Sequence, residues 1–193
     1  MKNLLLSAVI MCLFVSASYS QDFPKTDGSP MDAAYYPPRA AFRYFAETDA
    51  EKKAGEPVMR VLYSRPQKKG RDIFGGLEKF GTWWRIGANE ATELLLLKDV
   101  TVNGTKLAAG RYSVHAKIEK DAWEIHFSTE LDSWGSYNFR NDPSSTSVAS
   151  ISVKTQATAE TVESLGIFFE KSDAGADMVI GWDNTMVRVP FQF

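Results

Sequence analysis

From Val58 to the C-terminus, side chains alternate with a period of two, a pattern that fits strands and not helices. Val58, Arg60, Leu62 and Ser64 alternate with Met59, Val61 and Tyr63. Tyr112, Val114, Ala116 and Ile118 share one face of the next clear run, while Ser113, His115 and Lys117 share the other. Trp123, Ile125 and Phe127 then oppose Glu124, His126 and Ser128, and Val148, Ser150, Ser152 and Lys154 oppose Ala149, Ile151 and Val153. Leu94–Leu97 forms a further short strand. Asn103-Gly104 marks a tight turn between two more. Three strand candidates close the chain, at 162–170, 178–182 and 185–193, with turns at Gly175 and Asp183-Asn184. No recurring helical pattern supports βαβ units. The expectation is an all-β fold, a sandwich or jelly-roll-like domain of about eight or nine strands.

Two segments break the alternation, at 65–92 and 129–146. Loops longer than about 15 residues are uncommon in a compact domain and are often functional. The first combines the basic turn Arg65, Lys68, Lys69 and Arg71 with glycines at 75, 76, 81 and 87 and the pair Trp83-Trp84. Its apolar members Ile73, Phe74, Leu77 and Phe80 require part of it to fold back onto the domain.

Ahead of the β region, residues 1–20 have the layout of a secretory signal. Lys2 is followed by an apolar run from Leu4 to Val15, then by small residues at Ser18 and Ser20. Residues 21–56 form an extended, partly helical lead-in, and 57–193 the all-β domain. Cys12, the one cysteine, lies inside the apolar run. The mature chain would therefore carry no disulfide and no thiolate site, and its location would be periplasmic or secreted. The formal charge is −2, and −3 once Lys2 is removed. That balance provides no polycation for a nucleic-acid backbone. No later stretch approaches the ~20 apolar residues of a membrane span.

The segments Tyr63-Ser64-Arg65-Pro66, Lys69-Gly70-Arg71, Ile73-Phe74-Gly75-Gly76-Leu77, Trp84-Arg85 and Gly87-Ala88-Asn89-Glu90-Ala91-Thr92 resemble a known family. So do Lys98-Asp99-Val100, Ala109-Gly110-Arg111-Tyr112 and Trp134-Gly135. The family is DUF2911, exported bacterial proteins common in Bacteroidota. The resemblance covers roughly residues 38–193. It implies an all-β sandwich and no established activity, so catalytic residues and cofactor stay unassigned.

The residues themselves offer two readings. The leading one is a non-catalytic exported module that binds a small polar ligand, a glycan or an envelope protein. Its site would lie on the first long loop, with Arg65, Arg71, Trp84, Arg85, Asn89 and Glu90 as members. Arginines fork onto carboxylates, and aromatic rings offer platforms for sugars or guanidinium groups. The architectural account of the same loop pairs Arg85 with Glu90 and sinks one tryptophan into the core. The alternative is a hydrolase, metal-assisted through His115 and His126. The chain's two histidines lie on successive strands, and a hairpin would bring their rings together, with Glu124 or Glu90 as a third ligand. A Ser113, His115 and Asp132 set can also be assembled, but no Gly-x-Ser-x-Gly elbow supports it. Carboxylates such as Glu90, Glu124 and Asp132 have no motif holding them at a catalytic spacing.

Overall fold

The computed structural model describes residues 22–193, so the signal-like segment at 1–20 lies outside it. The described chain is an all-β domain of two antiparallel sheets, with seven strands in one and four in the other. Among the described residues no helix is long and apolar enough to cross a membrane.

The large sheet runs β1 (Met31–Tyr36), β2 (Met59–Ser64), β4 (Thr92–Leu96), β7 (Gly110–Ile118), β8 (Ala122–Ser128) and β9 (Ser147–Lys154). The two-residue β3 (Trp83–Trp84) also pairs with β7. The small sheet runs β10 (Gln156–Ser172), β11 (Gly175–Gln192), β5 (Val100–Val102) and β6 (Thr105–Leu107). Asn103 and Gly104 join β5 to β6 with φ values of 48° and 76°. This is the left-handed pair that a two-residue hairpin needs, and asparagine followed by glycine adopts it most readily.

Three features differ from the sequence reading. The lead-in supplies a strand of its own, because β1 pairs along its whole length with β2. It also holds a 3-10 turn, Ala40–Phe45, and the helix α1 (Asp49–Ala54). Thr48 and Glu51 cap α1 reciprocally. Asp183-Asn184 is no turn: β11 runs through it, and Asp183 takes a φ of 54° within the strand. Among the described residues there are eleven strands: β1 and the two-residue β3 are additions, while the last two expected strands merge into β11.

Core residues of both sheets form one buried cluster. Met59, Val61 and Tyr63 of β2 and Val114, Ala116 and Ile118 of β7 pack there with Ile180, Val187, Val189 and Phe191 of β11. Trp84, Trp123, Trp182 and Phe74 close one part of it, and Trp84 stacks on Trp182 at 6.0 Å.

Strands β3 and β4 lie along the same side of β7. Trp83 and Trp84 pair with Lys117 and Ala116, and Thr92 resumes the pairing at Val114. Residues 85–91 are thus an excursion from one interrupted strand, closed at its base by the Thr92 N–H donating to Arg85 O at 3.1 Å. Ile86 (φ 56°) and Asn89 (φ 60°) turn the chain out and back. Gly87 passes over β2: a Cβ there would lie 3.3 Å from the Ser64 carbonyl oxygen.

Candidate functional site

The first long loop is a stapled structure, and its charged residues are the staples. Arg65 donates from Nε to Leu165 O and from Nη1 to Asp32 Oδ2, both at 3.0 Å, so it ties the end of β2 to β10 and β1. Arg71 folds back on its own turn, donating to the Lys68 and Gln67 carbonyls. Trp84 is 1 % exposed in the core and donates Nε1–H to Gly87 O, so it presents no face to a ligand. Arg85 is half-buried, with a buried Nε that has no partner and no carboxylate within ion-pair distance among the described residues. The expected Arg85–Glu90 pair is therefore not formed. Arg85 instead contributes favourably to the charged form of Glu78, whose pKa burial nevertheless raises above the usual carboxylate range.

Asn89 and Glu90 act through their backbones. Asn89 O accepts from Gly135 N at 2.9 Å, Glu90 pairs antiparallel with Trp134, and Ala91 N donates to Ser133 O at 3.0 Å. The excursion 85–91 is thereby sewn to the second long loop above the outer face of the large sheet.

Where those two loops meet, they border an open cavity of about 250 Å³. Its floor is the outer face of β2, β4 and β7, with Leu62, Glu93, Arg111 and Ser113. Its walls are Met31, Glu90-Ala91 and Leu131-Asp132. An ion-pair chain crosses it. Arg111 donates to Glu93 Oε2 from Nε at 2.8 Å and from Nη2 at 2.5 Å, and Nη2 also reaches Asp132 Oδ1 at 2.6 Å. Glu93 Oε1 lies 3.5 Å from Arg60 Nη2. Asp132 holds a φ of 56°, so left-handed residues shape both walls, Asn89 on one and Asp132 on the other.

Of the six ligand-binding residues expected from sequence, Glu90 alone lines this cavity, with Asn89 next to it. Glu93 and Arg111 were missed. Each sits at an outward position of an alternating strand, but three strands and a loop must come into register before they converge.

The histidines lie beside the cavity, and neither is on a solvated face. His115 and His126 are opposite each other on β7 and β8, as a hairpin requires. The second long loop covers them. Phe139 of that loop lies flat on His115, with ring centres 4.2 Å apart, and Trp83 stands edge-on to both His126 and Phe139. His115 is 0 % exposed. Burial, with a smaller effect from His126, lowers its pKa to about 4.

Both nitrogens of His115 are occupied: Nδ1 lies 2.8 Å from Ser136 Oγ and Nε2 3.1 Å from Ser113 Oγ. The hydrogen-bond directions follow from one group. Ser113 is 2.6 Å from Glu130 O, a carbonyl that can only accept, so Ser113 donates there. Its oxygen then accepts from His115 Nε2–H, which leaves Nδ1 to accept from Ser136. Ser113 and His115 do meet, but Asp132 turns to Arg111 instead of completing a triad. His126 Nδ1 pairs with Ser147 Oγ at 2.8 Å. Its Nε2 is 2.9 Å from Glu124 Oε1, without hydrogen-bond geometry. Among the described residues no three His, Cys, Asp or Glu side chains converge as a metal site would need.

A family model described as a protein of unknown function, DUF2911, matches residues 46–191. Nothing among curated proteins or solved structures matches the chain.

Proposed function

We propose that this chain, which belongs to the DUF2911 family, is a non-catalytic exported module that binds a small polar ligand in the cavity between its two long loops. One observation carries the reading. Two irregular segments far apart in sequence are held together by backbone hydrogen bonds over a concave, mixed-polarity surface. Loops anchored in this way hold their side chains in place before a ligand arrives, which lowers the entropic cost of binding. A few charged groups among apolar walls is also the usual make-up of a small-ligand site.

The metal-assisted hydrolase is the weaker reading, because His115 spends both nitrogens on serine hydroxyls. Export rests on the signal-like residues 1–20. The two sheets are taken as a β-sandwich, because inward faces from both contribute to one core.

The test is protein-observed NMR with a panel of neutral sugars, amino acids and amines at millimolar concentration. Shifts concentrated at Leu62, Glu93, Arg111 and Leu131, and lost in Glu93→Gln, are expected. A panel that moves none of these signals, or moves them equally in the variant, would overturn the binding reading.

A further inference from the structure

Resting on that reading, we infer that the ligand is a neutral glycan, held by Asp132 and Arg111 and stacked on Trp134. The argument starts with charge. The cavity is lined by Glu90, Glu93 and Asp132 against the single cation Arg111. Arg60 offsets part of the Glu93 charge from outside the lining. The balance stays negative, so phosphates, uronic acids and other anions are repelled.

The free hydrogen-bonding capacity is more specific. Arg111 uses Nε and Nη2 on Glu93 and Asp132, and its Nη1 donors have no partner among the described residues. Asp132 binds Arg111 through Oδ1, which leaves Oδ2 open. An open acceptor and an open donor therefore belong to two side chains that are bonded to each other. A hydroxyl is both donor and acceptor, and two neighbouring hydroxyls on a sugar ring match that arrangement. An amine has no acceptor to offer Arg111, and its charge would lie beside the guanidinium.

The third component is apolar. Trp134 is 61 % exposed, and its backbone pairs with that of the lining residue Glu90. Tyr137 of the same loop is also exposed, but Arg140 lies over its ring, whereas no described side chain stacks on Trp134. Phe139, five residues on, is fully buried. The exposed indole on the residue paired with Glu90, two positions from Asp132, would offer a flat apolar surface for the C–H face of a pyranose, while Asp132 and Arg111 take its hydroxyls.

The experiment is a screen of the folded 21–193 protein on an array of neutral glycans, with calorimetry of the hits. Maltose, cellobiose, lactose and xylobiose serve as defined probes, glucuronic acid as the anionic control and lysine as the cationic one. At least one neutral glycan should bind, with glucuronic acid weaker by tenfold or more. Asp132→Asn and Trp134→Ala alter exposed side chains, so their melting temperatures should match the parent, and each should weaken binding about tenfold. No neutral glycan bound, glucuronic acid bound as tightly, or affinity unchanged in both variants would overturn the inference. Lysine bound at Leu62 and Glu93 without any glycan would also overturn it, while leaving the binding cavity itself intact. Loss of all ligands at those residues would remove the cavity reading as well.

Discussion

Lowering the pH should remove stability from this domain through one side chain, His115. The ring is fully buried against Phe139, and its pKa falls from the usual 6.5 to about 4. In the unfolded chain it protonates near pH 6.5. Between pH 6.5 and 4 the unfolded state therefore holds a proton that the folded state lacks, so stability falls as pH falls. The fall from 6.5 to about 4, at about 1.4 kcal/mol per pH unit, gives about 3–4 kcal/mol lost across that window, with no further loss from this group below it. A domain of this size has a total stability of roughly 5–15 kcal/mol, so the effect is easily measured. Urea unfolding at pH 7, 6, 5 and 4 gives the curve for the parent. The same series on His115→Gln removes the contribution of this ring. The parent should lose about 3–4 kcal/mol more than the variant. Nitrogen shifts of the ring at pH 7 should also report the neutral form with its proton on Nε2, as the Ser113 and Glu130 bonds dictate. Parallel pH curves, or an NMR titration of His115 near 6.5, would refute the reasoning.

Two further changes test how the loops are held. Phe139→Ala should cost about 3–5 kcal/mol in chemical denaturation, because it empties a fully buried site against His115 and Trp83. It should also raise the His115 pKa by admitting water, and an unchanged titration would show that the loop does not seal the ring. Gly76→Ala should destabilise by about 1–3 kcal/mol, since the new Cβ would lie 2.2 Å from the Asp72 carbonyl oxygen. A melting temperature equal to the parent's would mean that the first long loop shifts freely at that point.

Local chemistry made much of the fold legible. The period-two pattern follows from strand geometry, in which neighbouring side chains point to opposite faces. It correctly set Trp123, Ile125 and Phe127 of β8 on one face, and that face lies in the core. Asn103-Gly104 marked its hairpin because few other residues tolerate positive φ at both positions. The need for Ile73 and Phe74 to fold inward was also visible, and Ile73 is buried while Phe74 packs on Trp84. Alternation could not tell which polar face meets solvent. His115 and Ser113 sit on the polar face of β7, yet both are buried, because a loop from residues 129–146 closes over them. Nor could it see that β3 and β4 are one line of pairing interrupted at 85–91. The cavity lay furthest from view. Glu93, Arg111 and Asp132 are separated along the chain and become neighbours only through strand register and loop docking. Strand periodicity is set by adjacent residues and can be read locally. A site of this kind is set by contacts between distant segments, which form only when the whole domain folds.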